Sequence, residues 1–212
     1  MEEAPHKKNA SFGILLIVGV IIVGALIAFV VIGSRMNKAE TTQTSDTPKT
    51  DAPAVNGLSK QAFTSDVAGY KLNTPAGWNE QKGTGTANFI FFSPKPDKDA
   101  TGEFKANINI AFEETKVTPL DTYVTSTQKA LPLALTNYKQ LSDRKITLGD
   151  MPARIIESTF LNNNHQLRNS QLIVMRDNSV YVVTGTALES SWSKYSKLFN
   201  DSMMSLTLSK VN

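Results

Sequence analysis

Residues 12–33 read FGILLIVGVIIVGALIAFVVIG, 22 positions without a charge. As a helix rising about 1.5 Å per residue they reach about 33 Å, enough for a hydrocarbon core of about 30 Å. Only a helix satisfies its own backbone hydrogen bonds in lipid, so the spacing predicts a single transmembrane helix at 12–33. A cleaved signal peptide has a shorter apolar core, and Val31-Ile32-Gly33 is a poor cleavage site. A lipoprotein anchor needs a cysteine to acylate, and the chain has none. Gly24 and Ala28 form a small-xxx-small pair that would let two such helices approach.

This anchor divides the chain into a tail (1–11), a transmembrane helix (12–33), a disordered linker rich in Thr, Ser and Pro (34–57) and a globular domain (58–212). The linker has almost nothing apolar to bury, so it cannot offset its ordering entropy; as a coil its reach is about 27 Å. Lys7 and Lys8 before the span are balanced by Arg35 and Lys38 after it, so flanking charge does not orient it. The stalk-like linker places the domain on the extracytoplasmic side of a cell membrane as a single-pass protein. With 22 Lys and Arg against 19 Asp and Glu, scattered along the chain, the balance of +3 gives no nucleic-acid footprint. The missing cysteines also remove disulfides, thiolate metal sites and cysteine nucleophiles.

The domain is long enough to bury about 70% of its unfolded surface without staples. Gly69 to Leu72 alternates like a strand, Asn73 to Trp78 turns, and Asn88 to Ser93 is a short apolar run bounded by turn residues. Pro94 to Gly102 reads as a charged loop. Ala106 to Phe112 alternates, with Ile108 and Ile110 on one face and Asn107 and Asn109 on the other. The period then becomes helical: Thr118 as cap, Pro119 in the first turn, Leu120, Val124, Thr127 and Leu131 on one stripe, and Pro132 ending or kinking the helix. Strands follow at 144–148, 153–160, 172–175 and 180–183, with turns at Gly149-Asp150 and Asp177-Asn178 and a loop at Asn162 to His165. A last helix is capped at Ser190 or Ser191 and buries Trp192, Tyr195, Phe199, Met203 and Leu206. Hairpin-length connections predict an antiparallel sheet of about six to seven strands in an α+β domain. Strands apolar on both faces predict helices covering each side.

The text Gly69-Tyr70-x-Leu72-x-x-Pro75-x-Gly77-Trp78, then Ile146 to Ala153, then the last hairpin and its Trp- and Tyr-bearing helix, resembles the PsbP-like family over about Phe63 to Leu208. That family includes the extrinsic PsbP subunit of photosystem II and bacterial relatives carried on membrane or lipid anchors. The resemblance implies an α-β-α sandwich around an antiparallel sheet and a non-catalytic accessory role outside the membrane. No assembly-contacting or metal-binding residue of PsbP matches a position here, so the photosynthetic role is not implied.

Chemistry-bearing residues are sparse. His165 is the sole histidine of the domain, without a nucleophile-elbow motif around any serine. Asp97, Asp99, Thr101 and Gly102 match the first half of a calcium loop, but position twelve, where a bidentate Glu belongs, is Ile108. Glu113 and Glu114 are adjacent in a strand and point to opposite faces, so they cannot converge on one bond. No cofactor motif is present. The sequence therefore predicts a tethered, non-catalytic module that binds or stabilises an envelope protein, the alternative being an envelope hydrolase with a site built around His165.

Overall fold

The structure, a computed structural model, describes residues 57–83, 87–115 and 118–209. The expected tail, span and linker over 1–56 lie outside the described residues. Among the described residues no helix is long and apolar enough to cross a membrane.

Among the described residues, twelve strands and two α-helices follow in the order β1 (Phe63–Ser65), β2 (Tyr70–Leu72), β3 (Asn79–Lys82), β4 (Ala87–Phe92), β5 (Asp97–Asp99), β6 (Gly102–Phe104), β7 (Asn107–Glu114), α1 (Leu120–Ala134), β8 (Thr136–Leu148), β9 (Met151–Asn162), β10 (His165–Arg176), β11 (Ser179–Leu188), α2 (Trp192–Met204) and β12 (Thr207–Leu208). Seven strands form one antiparallel sheet in the order β3-β4-β7-β11-β10-β9-β8. A three-stranded sheet, β1-β2-β12, and the β5–β6 hairpin stand apart from it. The domain is thus an α+β sandwich, as the alternation predicts.

Each face of the large sheet has its own core. Ile108, Ile110, Ile155, Leu172, Val174, Tyr181 and Val183 meet Trp192, Tyr195, Phe199 and Met203 of α2, with Tyr70 and Leu72 of the small sheet beside them. On the other face Ala111, Ile156, Phe160, Ile173, Val180 and Val182 meet Tyr123, Val124 and Leu131 of α1. Burying a side chain such as Phe199 completely contributes about 1.5–3 kcal/mol. Helix α1 is also pinned at its edge. Asp121 accepts from Lys145 Nζ at 2.8 Å and from Arg154 at 2.6 Å, while Asp143 accepts from Arg154 Nε at 2.9 Å and Gln128 Nε2 at 2.7 Å.

Four expectations need correction. The charged segment from Pro94 to Gly102 is not a loop throughout: Asp97–Asp99 pairs with Gly102–Phe104 as a hairpin, closed by the Asp99 carboxylate accepting from the Thr101 and Gly102 amides at 2.8 and 3.1 Å. The Asn162–His165 loop is a two-residue hairpin turn in which Asn163 and Asn164 both take positive φ, the backbone a type I′ turn needs. Helix α1 begins at Leu120, with Pro119 as its cap residue and no side-chain cap; the Pro119 carbonyl takes the Thr122 and Tyr123 amides instead of the Thr118 hydroxyl making that contact. Pro132 lies inside the last turn, where the missing amide costs one bond, and the helix runs two residues further.

Candidate functional site

The fold draws three of the residues singled out in the sequence into one contact. The β9–β10 turn delivers His165 to the β5–β6 hairpin, and its Nδ1 lies 2.9 Å from Asp99 Oδ2 and 2.6 Å from Thr101 Oγ1. The Thr101 hydroxyl in turn donates to Asp99 Oδ1 at 2.6 Å. Asp97, two residues away, turns to α2 instead, accepting from Lys194 Nζ at 2.7 Å and from the Tyr195 hydroxyl at 2.6 Å. The hairpin is thereby clasped to two neighbours through two carboxylates. The Thr101 hydroxyl foremost, and then His165, hold the Asp99 carboxyl well below the usual carboxylate range.

The geometry bears on both chemistries weighed for these residues. In a nucleophilic triad the acid and the nucleophile bind opposite ring nitrogens of the histidine; here Asp99 and Thr101 share Nδ1. A calcium loop needs its carboxylates free to converge, whereas those of Asp97 and Asp99 are engaged by different partners. No group of three or more His, Cys, Asp or Glu side chains gathers among the described residues. Glu113 and Glu114 part as alternation requires. Glu114 lines a recess of about 330 Å³ at the β10–β11 turn, with Arg176, Asp177, Tyr181 and Ser209. Glu113 is on the α1 face, and burial pushes its carboxyl up to about 7.

A third arrangement was not visible in sequence. Two neighbouring cross-strand rows on the α1 face are polar and buried. One runs Asn107–Thr186–Asn169–Ser158 and the next Asn109–Thr184–Gln171, across β7, β11, β10 and, in the first row, β9. Some partners are met within the rows: Ser158 donates to Asn169 Oδ1 at 2.6 Å, and Gln171 Nε2 to Thr184 Oγ1 at 3.3 Å. Asn107 Oδ1, both terminal atoms of Asn109, Asn169 Nδ2 and Thr186 Oγ1 are buried without a hydrogen-bond partner among the protein's own atoms, and so are Thr127 Oγ1 and the Tyr123 hydroxyl of α1. Leaving such a group unpaired costs about 1–3 kcal/mol, and buried polar side chains in folded proteins are rarely left so. The alternation puts Asn107 and Asn109 on one face without saying by itself what covers that face. The clue to their burial was that neighbouring strands are apolar on both sides, which puts that face under a helix.

A family model described as DcrB matches residues 70–205. Compared with curated proteins, the sequence finds no match. Among solved structures, cyanobacterial PsbP (CyanoP) from Synechocystis sp. PCC 6803 is similar with a TM-score of 0.52 and 12% identity, over 76% of this chain and 98% of that one. LpqN of Mycobacterium tuberculosis, involved in cell envelope biogenesis, gives a TM-score of 0.55 and 14% identity over 73% and 93% of the two chains. A Pseudomonas aeruginosa protein of unknown function gives 0.52 and 17% over 73% and 99%. At these identities the likeness is one of fold, and it is the PsbP-like fold that the turn motifs pointed to.

Proposed function

The chain belongs to the DcrB family, and on that footing we propose that it is a membrane-anchored extracytoplasmic accessory module that binds or stabilises an envelope protein without catalysis. The observation that carries the reading is the state of His165. Its Nδ1 serves Asp99 and Thr101 together, which makes it a fastener for the β5–β6 hairpin and does not set these two side chains on opposite ring nitrogens as an acid and a nucleophile of a triad would be. The fold shared with LpqN supports an envelope setting, and the apolar run at 12–33 supports a tether. A tether holds the domain within tens of ångströms of the bilayer, so weak affinity for a membrane neighbour suffices at the resulting local concentration.

Crosslinking in the native membrane tests this. Full-length chain should yield a discrete adduct that persists with His165→Ala and with an unrelated span in place of 12–33, and disappears when 1–56 are removed. Turnover of ester, glycoside or peptide substrates by the purified chain, lost on His165→Ala, would replace the reading with the hydrolase.

A further inference from the structure

The geometry points to the paired polar rows beneath α1 as a binding site for a small uncharged solute bearing several hydroxyls, of monosaccharide size. This goes beyond the tethered-module reading and does not depend on it. Adjacent strands are about 4.8 Å apart, and residues two apart on a strand about 6.8 Å, so Asn107, Asn109, Thr184, Thr186, Asn169 and Gln171 tile about 10 by 7 Å. That is the footprint of one sugar ring.

The unpaired atoms define the chemistry. Asn107 Oδ1 and Asn109 Oδ1 accept, Asn109 Nδ2 and Asn169 Nδ2 donate, and the hydroxyls of Thr186 and of Thr127 on α1 do either. A matching solute must offer donors and acceptors together, as hydroxyl groups do. The tile itself holds no charged side chain, and the row of Ala111, Val182 and Ile173 separates it from Glu113. A charged solute would be desolvated there without a counter-charge, so the site selects neutral ones. Asn107, Asn109 and Asn169 are wholly buried, so a solute enters when α1 or the β5–β6 hairpin moves aside.

The test uses the full-length chain in detergent, with glucose and N-acetylglucosamine as neutral probes and glucosamine as the cationic control. At least one neutral probe should raise Tm by about 5 °C at saturation, and glucosamine should not. Thr186→Val and Asn109→Leu keep the shape while removing polar atoms. Each should abolish the rise, and neither should lower the solute-free Tm, because an unpaired buried group is removed. Three outcomes overturn the proposal: no rise with any neutral probe, a rise that survives both substitutions, or an equal rise with glucosamine. A loss of solute-free Tm in both variants, without any probe effect, would assign the rows to internal water.

Discussion

Glu113 is the residue whose chemistry departs furthest from what its place in the sequence suggests. Its cross-strand neighbour is Val180, its Oε2 is buried without a partner, and desolvation pushes the carboxyl up to about 7. Between the ordinary value of 4.5 and about 7 the native state holds a proton that the unfolded chain has released. Stability from this group is therefore whole below the lower value, declines as pH rises through the window, and is level above it. Glu113→Gln stays neutral throughout, so the Tm of the native chain relative to this variant should fall across the window and then hold; a constant difference would show a solvated carboxyl. Asp97 and Asp99 lead to the opposite kind of expectation. Their carboxylates are taken by Lys194, Tyr195, Thr101 and His165, so chelator should leave the melting curve of the full-length chain unmoved, and a calcium-dependent rise in Tm would break that account. The sequence displayed Asp97, Asp99, Thr101 and His165 as candidates for chemistry. It could not display their pairing, because Asp99 and His165 lie 66 residues apart and meet only through the register of two hairpins.

At the scale of elements, the apolar patterns were legible and the polar ones were not. The α2 stripe of Trp192, Tyr195, Phe199 and Met203 is buried as its spacing predicts, and the turns at Gly149-Asp150 and Asp177-Asn178 join the strands they were expected to join. Strand β8 begins at Thr136, eight residues before the strand read from the sequence. It is the edge of the sheet and mostly exposed, with register shifts along its pairing to β9, so no period-2 apolar signal marks its first half. Tyr123 likewise joins the buried face of α1 although the stripe of Leu120, Val124, Thr127 and Leu131 did not include it. One small residue fixes how α2 sits. A Cβ on Gly185 of β11 would come within 2.6 Å of Phe199 Cδ1, inside any real contact distance, so the ring lies directly on the strand backbone. Gly185→Ala should cost about 1–3 kcal/mol in denaturant unfolding. Adding Phe199→Leu should recover part of that loss, because the two positions share one contact and their effects cannot be additive. Full additivity would mean that the helix shifts as a body to make room.

For the whole molecule, the question is how a two-faced sandwich would be joined to the proposed tether. The folded part is secured from its first described residues: the Ser59 amide donates to the Thr74 carbonyl at 2.8 Å, the Ala76 amide to the Gly57 carbonyl at 3.0 Å, and Leu58 bridges Pro75. Trp78, just beyond that turn, stands edge-on to Tyr195 and Phe199 at 5.9 and 6.0 Å, so the entry point is locked to the α2 core. The segment 34–56 has no aromatic residue and only Met36 and Val55 as large apolar side chains, too few for such locking. A protease should therefore cut before Gly57 and stop there, since cleavage inside the bonded turn requires opening the core. Added to intact spheroplasts, it should release a domain that starts near Gly57, while alkaline carbonate alone should leave the uncut chain in the membrane pellet. Full protection until lysis would put the domain on the cytoplasmic side. Carbonate release of a chain beginning near Ser34 would mean that 12–33 is removed rather than retained. A cut between Leu58 and Trp78 under native conditions would show that the entry turn opens independently, and that the proposed tether would pull on the domain without holding its core.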